Sequence, residues 1–349
     1  MDYYVKAKQA LEKIRDRDDF LVLAVETSCD ETAVAVTRGR KVISSVVSSQ
    51  IDIHRRFGGV VPEIASRNHI TAIDAIVKNA LNEAGVSLSG IDVIAVTYGA
   101  GLLGALLVGV AYAKALAYTL GKPLIAVNHI KGHIAANYIS EPGLQPPYIC
   151  LLASGGHTSI LKVNSFADIT EIGSTQDDAV GEAFDKVARV LGLTYPGGPE
   201  IEKLAKEGRP TYTLPRAFKG EGEYNFSFSG LKTAVINLVE NCRARGEEIR
   251  REDLAASFQT EVADLLPSKA VTAAREHGIK TIALAGGVGA NGPLRELLKQ
   301  RGEAGNIRVL LPPRYLCTDN AAMIGVAAYE EIKAGASPAS LDLDADPAL

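Results

Sequence analysis

One order of sequence patterns occurs twice in this chain. In the first half, the apolar stretch and polar turn of "LAVETSCDETAVAV" are followed by strand, glycine-rich loop and helix in "DVIAVTYGAGLLGAL". In the second half, "LLASGGHTSILKV" and "KTIALAGGVGANGPL" repeat that order. A repeated unit of strands and helices predicts a duplicated α/β protein with two lobes facing a central cleft. Because strand–glycine–helix units are common in α/β folds, a chance resemblance between the halves is the alternative.

Length and local composition divide the chain into segments. At 349 residues it is long enough for two lobes, since single cores stop growing at roughly 250–300 residues. We predict a charged N-terminal extension with a short helix at 1–19, an N-terminal lobe at 20–143 and a C-terminal lobe at 144–335. The C-terminal lobe is expected to carry a helical insertion at about 178–270. The acidic end, 336–349, has no periodicity and is predicted to be disordered.

The composition favours a cytoplasmic protein without a membrane span. Cysteines 29, 150, 242 and 317 show no paired spacing, which fits reduced thiols in the cytoplasm. The apolar stretch "GAGLLGALLVGVAYAKALAYTLG" is predicted to be a buried helix opened by a glycine loop. The formal net charge of −4 argues against a uniformly basic nucleic-acid binder. Any contact with nucleic acid must therefore be local or shared with a partner.

Two histidines, His129 and His133, stand four residues apart in "HIKGH". On a helix both imidazoles would leave the same face, one turn apart, as in a metal site. A zinc protease with this spacing has a glutamate between its histidines, and this chain has none there. Asp319, in "LCTDNAA", is the candidate third ligand, since such sites usually add a carboxylate. A surface or capping role for the histidine pair is the alternative.

Four short turns follow predicted strands: "TSCDET", "GAGLLG", "ASGGHT" and "GGVGAN". Backbone N–H groups in such turns bind phosphate, so two turns in each half favour a nucleotide held between the lobes. The spacing matches neither a P-loop nor a dinucleotide-binding motif. Asp185, on a predicted helix, and the pair Gly197–Gly198 would suit an adenosine and its ribose. Turns needed only for packing, and a surface charge at Asp185, are the alternatives.

Several motifs occur together in a fixed order: "VLAVETSCDETAVAV", "GGVVPEIASRNH", "TYGAGLLGALLVG", "VNHIKGHIAAN", "LLASGGHT", "GEAFDKVARVLGL", "NFSFSGLKTAV", "GGVGANGPLR" and "CTDNAAMIG". From about residue 21 to 333 they resemble the tRNA adenosine threonylcarbamoyltransferase family, once described as sialoglycoprotein endopeptidases. The resemblance implies the duplicated fold of actin, the sugar kinases and the Hsp70 ATPase, with a nucleotide cleft. The strand in "ICLLASGGHT" lacks the tyrosine of archaeal and eukaryotic relatives, so the chain resembles the bacterial branch.

The resemblance also implies a reaction and its residues. The threonylcarbamoyl group would move from threonylcarbamoyl-AMP to the exocyclic amine of the adenine 3′ of the anticodon, in tRNAs reading codons that begin with A. His129, His133 and Asp319 resemble the ligands of one divalent metal, Fe²⁺, with Zn²⁺ as the alternative. Positions that resemble the adenylate-binding residues are Leu152, Ala153, Ser154, Gly155, Gly156, Asp185, Gly198, Glu202 and Asn291. Glu202 stands where many relatives have an aspartate, and it keeps the carboxylate.

The sequence also offers candidate catalytic residues, and the resemblance implies partners. Asp30 and Glu31, in "SCDET", are the candidates to orient the acyl group or to take the amine proton. The implied partners are tRNA, a paralogous subunit of the same fold and a small P-loop ATPase. We predict local tRNA-binding patches around His54–Arg56 and in the loop "RAFKGEGEYNFSFSGLK", completed by partner subunits.

Other functions compete with the transferase hypothesis. An ATPase or small-molecule kinase of the same fold would bind magnesium mostly through carboxylates, water and phosphate rather than through two histidines. A metalloprotease would need the glutamate that the histidine pair lacks. A silent, scaffolding paralogue would not need intact metal and glycine motifs.

Overall fold

Within the described residues, 2–216 and 223–349, the strands of this computed structural model form two five-stranded sheets. Each sheet belongs to its own unit. Unit 1 is the chain up to Leu144 together with Asp319–Leu349, and unit 2 is Gln145–Thr318.

Unit 1 contains the first five strands, the first five α-helices and one helix from the end of the chain. Its strands are β1 Leu21–Glu26, β2 Glu31–Arg38, β3 Lys41–Ser49, β4 Val93–Gly99 and β5 Leu124–Asn128. Its helices are α1 Tyr3–Ile14, α2 Ile51–Arg55, α3 Pro62–Ala84, α4 Leu103–Leu120, α5 His129–Ser140 and, from the far end of the chain, α11 Ala321–Lys333.

The sheet of unit 1 has the order β3-β2-β1-β4-β5. β1 pairs antiparallel with β2 and parallel with β4, with Glu26 opposite Ala33 and Val25 opposite Val96. β1 reads "LVLAVE" and is apolar at every position but the last, as expected for a central strand covered on both faces. This strand therefore ends in a charged residue inside the unit.

Unit 2 repeats the arrangement. Its strands are β6 Tyr148–Ala153, β7 Thr158–Ser165, β8 Asp168–Ser174, β9 Thr281–Ala285 and β10 Arg308–Leu310. Its helices are α6 Val180–Val190, α7 Gly197–Ala205, α8 Ser229–Arg245, α9 Arg251–Glu276 and α10 Gly292–Ala304. The order β10-β9-β6-β7-β8, with β6 antiparallel to β7 and parallel to β9, matches unit 1 strand for strand. The duplicated α/β fold predicted from the sequence is confirmed.

Helices α6 to α9 separate β8 from β9, where the sequence predicts an insertion at about 178–270. They enclose an apolar core in which the rings of Phe184 and Phe258 meet edge to face at 5.1 Å. α9 continues to Glu276, six residues past the predicted end. Ala270, Val271, Ala273 and Ala274 are buried, so the apolar packing of the helix continues past 270.

The end of the chain differs from the predicted segments. α11 lies in unit 1 and packs against α5 and β1, so the C-terminal lobe does not continue to residue 335. The tail predicted to be disordered also packs on unit 1. Ala339 N donates to Leu124 O at 2.7 Å, and Asp346 N donates to Tyr98 O at 2.7 Å. Ala339 and Leu343 contact the unit 1 core, which explains why this acidic segment is held.

Helices α1 and α4 differ in how far they are buried. α1, in the predicted extension, buries Ala7 and Leu11 completely in unit 1. α4 is the one helix in the described part of the chain that is long and apolar enough to cross a membrane by length and composition. A third of it is buried, and Leu103 and Leu107 are exposed, which is less burial than the sequence predicts. Length and composition alone are weak support for a span, because core helices pass the same test.

Candidate functional site

The histidine pair lies at the start of α5. Asn128 ends β5 and caps the helix, because its side chain accepts hydrogen bonds from Ile130 N at 2.7 Å and Lys131 N at 3.2 Å. His129 and His133 then face the same side, with ring centroids 4.6 Å apart. Gly132 lets α11 approach closely, since a Cβ at that position would lie 2.7 Å from Ile324 Cδ1. A larger residue inside "HIKGH" would therefore need the Ile324 side chain to shift.

Asp319 joins the two histidines from a distant part of the sequence. It immediately precedes Asn320, whose side chain caps α11 by accepting from Met323 N at 3.0 Å. Asp319 Oδ1 lies 3.5 Å from His129 Nε2 and 3.3 Å from His133 Nε2. The packing of α11 against α5 brings the carboxylate to the imidazoles. All three donor atoms lie within 4.8 Å of one another.

The residues of this cluster fit a metal ion. His133 is 1% exposed, yet neither of its ring nitrogens has a hydrogen-bond partner in the described part of the chain. A buried polar atom without a partner is costly, and a metal bond is one way to satisfy it. Two imidazoles and a carboxylate are also the donor set of many zinc and non-haem iron sites.

Charge in the cluster follows from its burial. Burial alone would lower the pKa of His129, but the carboxylates of Asp319 and Glu26 raise it to about 10. Although burial opposes ionisation, the imidazoles of His129 and His133 hold the pKa of Asp319 well below its usual range. Burial lowers the pKa of His133. Without a metal ion, these directions give a charged His129, a neutral His133 and an ionised Asp319 at neutral pH.

Glu26 supports His129 and was not among the predicted site residues. It ends β1, is fully buried, and its Oε2 lies 3.1 Å from His129 Nδ1. The same oxygen accepts from Thr97 Oγ1 at 2.5 Å, and Ser28 Oγ lies 3.2 Å from His129 Nδ1. The sequence does contain a signal, because a lone glutamate ends an otherwise apolar strand.

Asp30 and Glu31 follow β1 and open β2. Burial raises the pKa of Glu31 to about 8 and also raises that of Asp30, and the negative charge of Asp319 adds to both shifts. Glu31 Oε1 accepts from Ser49 Oγ at 2.9 Å. Its Oε2 is buried, with no hydrogen-bond partner among the described residues. Glu31 is therefore a carboxyl group that changes protonation near neutral pH.

The serine–glycine turn of unit 2 lies between β6 and β7. Leu152 and Ala153 are fully buried strand residues, so their side chains contact the core. Ser154 packs against the start of α6, where Gly181 N donates to Ser154 O at 3.1 Å. Gly155 and Gly156 are exposed, and a Cβ on either would meet no described atom within 4 Å. The turn thus presents backbone rather than side chains.

Asp185 joins α6 to the start of α7. Its Oδ1 accepts from Gly197 N at 2.7 Å. A Cβ at Gly197 would lie 2.6 Å from Phe184 O, so that glycine is required by packing. Gly198 differs, because a Cβ there would meet no described atom within 4 Å. Asp185 is therefore a structural partner of the glycine pair and not an isolated surface charge.

Glu202 and Asn291 form one hydrogen-bonded group in unit 2. Asn291 caps α10, because its Oδ1 accepts from Leu294 N at 3.0 Å. Its Nδ2 donates to Gln259 Oε1 at 3.1 Å and lies 3.3 Å from Glu202 Oε2. Glu202 Oε2 also accepts from Gly292 N at 3.2 Å. Gln259, which was not predicted, thus belongs to this group.

The two predicted tRNA-binding patches differ from expectation. His54 is fully buried, and Arg55 and Arg56 are its exposed neighbours. Part of the second patch, residues 217–222, lies outside the described residues. Further along that loop Phe226 and Phe228 are fully buried in unit 2. Among the described residues of these segments, His54, Phe226 and Phe228 are therefore not available for surface contact.

Comparison with known proteins identifies the family. The TsaD family, described as tRNA N6-adenosine threonylcarbamoyltransferase, matches residues 41–326. The chain belongs to the TsaD family. Proteins named tRNA N6-adenosine threonylcarbamoyltransferase are similar over most of its length. That of Clostridium perfringens is 54% identical over 95% of this chain and 98% of the relative. That of Moorella thermoacetica is 55% identical over 92% of this chain and 95% of the relative.

Solved structures with low sequence identity share the fold of this TsaD-family chain. Component A of the (R)-2-hydroxyglutaryl-CoA dehydratase of Acidaminococcus fermentans aligns with a TM-score of 0.53. It is 14% identical, and the match covers 90% of this chain and 99% of that one. Full-length HypF aligns with a TM-score of 0.61 at 17% identity, over 92% of this chain and 47% of that one.

The family assignment determines the class of reaction. The chain is an enzyme, a transferase of tRNA modification. It contains a His–His–Asp group able to hold a metal ion. The kinase and metalloprotease hypotheses have no support in the family or in the names of the relatives.

Proposed function

We propose that this enzyme transfers the threonylcarbamoyl group from threonylcarbamoyl-AMP to N6 of the adenine 3′ of the anticodon, in tRNAs reading codons that begin with A. The observation that carries the proposal is the convergence of His129, His133 and Asp319 in a member of the TsaD family. The family name gives the transferred group and the acceptor atom, and the cluster gives a means of activating a carbonyl.

Unit 1 is assigned the acyl end of the intermediate. His129 Nε2, His133 Nε2 and Asp319 Oδ1 would hold one divalent metal, Fe²⁺, with Zn²⁺ as the alternative. When bound, such an ion supplies Lewis-acid polarisation of carbonyl or phosphate oxygens. Both histidines are buried, which strengthens the electrostatic interactions of the cluster, while the Asp319 side chain is partly exposed.

Unit 2 is assigned the adenylate. Gly155, Gly156 and Gly198 have ordinary backbone angles and open space where a Cβ would be, so no described residue requires glycine there. A ligand that approaches the backbone closely would require it. Ser154 belongs to the same turn, and Asp185, Glu202 and Asn291 are polar residues of unit 2 that are assigned to the ribose and the base. Leu152 and Ala153 would contribute through their backbone only.

We assign Glu31 the role of accepting the proton that the N6 amine loses. In the transfer, the N6 nitrogen forms a bond to the carbamoyl carbon, and the bond from that carbon to the phosphate oxygen breaks. AMP leaves with the electron pair, and the nitrogen loses one proton. A carboxylate whose pKa is about 8 is suited to accept and release a proton near neutral pH. Asp30 is assigned the orientation of the acyl group.

The proposed partners are tRNA and two further subunits that the family resemblance implies. With a net charge of −4, the chain would bind tRNA through local groups such as Arg55 and Arg56, together with partner subunits. The proposed subunits are a paralogue of the same fold and a small P-loop ATPase. The proposed location is the cytoplasm, where tRNA is modified and where four free cysteines stay reduced.

The proposal is tested by transfer of labelled threonine from threonylcarbamoyl-AMP to tRNA, measured with and without the two partner proteins. We expect label on a tRNA that reads codons beginning with A, and none when the adenine 3′ of the anticodon is replaced by guanine. His133→Ala is expected to abolish transfer, whereas Glu83→Gln, on an exposed face of α3, should not affect it. Labelling of the guanine-substituted tRNA would exclude the proposed acceptor.

A further inference from the structure

Glu26 occupies a buried position where a carboxylate is energetically unfavourable. It is 0% exposed at the end of β1, and burial of an ionised group without partners costs several kcal/mol or more. The equivalent strand of unit 2, β6, ends in Ala153, which is equally buried. The sheet architecture therefore does not require an acid at this point, and its presence needs another reason.

Among the described residues, three neighbouring groups contact the Glu26 carboxylate. Ser28 N donates to Oε1, and Thr97 Oγ1 donates to Oε2. The third is His129 Nδ1, 3.1 Å from Oε2. Among them only His129 belongs to the metal-binding cluster. Its other nitrogen, Nε2, faces Asp319 at 3.5 Å.

We propose that Glu26 is a positioning residue that keeps a proton on Nδ1 of His129 and so directs the free electron pair of Nε2 to the metal. This inference rests on the proposed function, because it assumes that the cluster binds a metal. A metal-binding histidine needs one bare nitrogen, and the hydrogen bond made by the other nitrogen selects which one is bare. The Glu26 carboxylate accepts a hydrogen bond from Nδ1–H, so the proton stays on Nδ1 and Nε2 is the bare nitrogen. Burial also fixes the ring orientation.

Glu26 supplies a second function in the same contact. With Asp319 it places two negative charges beside two imidazoles, which balances the charge of a divalent cation. A buried cation with matched counter-charge avoids most of its desolvation cost. Loss of Glu26 should therefore weaken the binding of a divalent ion even where the histidines remain.

Glutamine at this position tests the proton and the charge while keeping the shape. A glutamine has one acceptor oxygen, and both Ser28 N–H and His129 Nδ1–H need one. If the oxygen stays at Ser28, the amide NH₂ faces His129 and drives its proton to Nε2, which blocks the metal. If the amide rotates by 180°, its NH₂ faces Ser28 N–H, and two hydrogen-bond donors then meet without an acceptor. Both arrangements disfavour the metal-binding form.

The first experiment uses the unsubstituted chain loaded with Zn²⁺. Long-range ¹H–¹⁵N spectra of ¹⁵N-labelled protein distinguish the two imidazole nitrogens, with His129 assigned by the signals lost in His129→Gln. We expect a protonated Nδ1 and a zinc-bound Nε2 for His129. Zinc on Nδ1 of His129 would overturn the inference. This measurement does not depend on the folding of any Glu26 variant.

The second experiment measures Zn²⁺ affinity by competition with a chromophoric chelator. We expect Glu26→Gln to weaken binding by about tenfold to a hundredfold. The matched control is Thr97→Val, which removes another hydrogen bond to the same carboxylate and leaves its charge and its contact with His129. Its affinity should stay close to that of the unsubstituted chain.

The outcomes separate this inference from the proposed function. Equal affinities for Glu26→Gln and the unsubstituted chain would overturn the positioning role alone. Equal weakening by Glu26→Gln and Thr97→Val would also overturn it, since a general loss of structure at the strand end would then explain both. No metal binding by the unsubstituted chain would remove the metal from the proposed function and this inference with it.

Discussion

His133 Nε2 lies 3.3 Å from Asp319 Oδ1 across the junction between α5 and the start of α11. The direction of approach does not make a hydrogen bond, and neither nitrogen of His133 has another partner among the described residues. Two residues that are 186 positions apart in the sequence thus meet as a pair of polar groups that lacks a partner among the described residues. A metal ion would complete it.

Metal binding should therefore stabilise unit 1. A ligand that binds only the folded state adds about 2.7 kcal/mol at a hundred times its dissociation constant. We expect Zn²⁺ or Fe²⁺ to raise the midpoint of thermal unfolding of the unsubstituted chain and to leave that of His133→Asn unchanged. Metal content after gel filtration should fall from one ion per chain to near zero in the variant. A variant that keeps both its metal and its thermal shift would exclude His133 as a ligand.

Glu31 should make stability depend on pH. In the unfolded chain its pKa returns to about 4.5, and burial raises it to about 8 in the folded one. Between these values the folded state binds more protons, so the free energy of unfolding decreases as pH rises from about 4.5 to 8. Glu31→Gln removes this dependence. The variant should match the unsubstituted chain near pH 4 and be the more stable of the two near pH 9.

Urea denaturation at a series of pH values, in the presence of a chelator, measures this difference. Glu83→Gln, an exposed substitution on α3, serves as control and should follow the unsubstituted chain at all pH values. Parallel curves for Glu31→Gln and the unsubstituted chain would show that Glu31 ionises normally. In that case its assignment as proton acceptor would lose its physical basis.

Much of the site could be predicted because its residues carry their own signals. The histidine spacing places both imidazoles on one helix face, and the repeated strand–glycine–helix order predicts both sheets. Asp319 could be named from its motif but not located by spacing, because only the packing of α11 against α5 brings it close. That helix is apolar on almost every face, so its sequence does not say which sheet it covers.

The positions of Glu26, His54 and β3 depend on tertiary contacts that the sequence pattern does not reveal. Glu26 is separated by 103 positions from the histidine that it contacts. His54 lies between an isoleucine and two arginines, and its burial follows from contacts with Gln50 Oε1 at 3.3 Å and Val61 N at 3.3 Å. Strand β3 contains four serines and little alternation of apolar and polar residues. Its strand conformation therefore depends on its antiparallel pairing with β2.

The C-terminal tail should contribute to stability. Leu343 contacts the core of unit 1, and Lys114 Nζ donates to Leu343 O at 2.8 Å. We expect Leu343→Ala to reduce the free energy of unfolding by about 1–2 kcal/mol, less than for a fully buried leucine. Leu349→Ala, at a leucine that is 40% exposed, should have little effect. Equal denaturation midpoints for Leu343→Ala and the unsubstituted chain would mean that the tail does not pack in solution.

Glycines in unit 2 should divide into two classes. Gly286 has a φ of 86°, and a Cβ there would lie 2.4 Å from Ala153 O, so Gly286→Ala should destabilise the fold. Gly156 and Gly198 have neither constraint among the described residues. Alanine at either position should change the free energy of unfolding by no more than about 1 kcal/mol.

Because the proposed adenylate would contact the backbone at Gly156 and Gly198, alanine at either position should nevertheless weaken adenylate binding. We expect a loss of about 1.4 kcal/mol, which is about tenfold in affinity. Calorimetric titration with a non-hydrolysable analogue of threonylcarbamoyl-AMP, paired with urea denaturation, measures both quantities on the same samples. If Gly156→Ala and Gly198→Ala bind the analogue as tightly as the unsubstituted chain, the adenylate lies elsewhere.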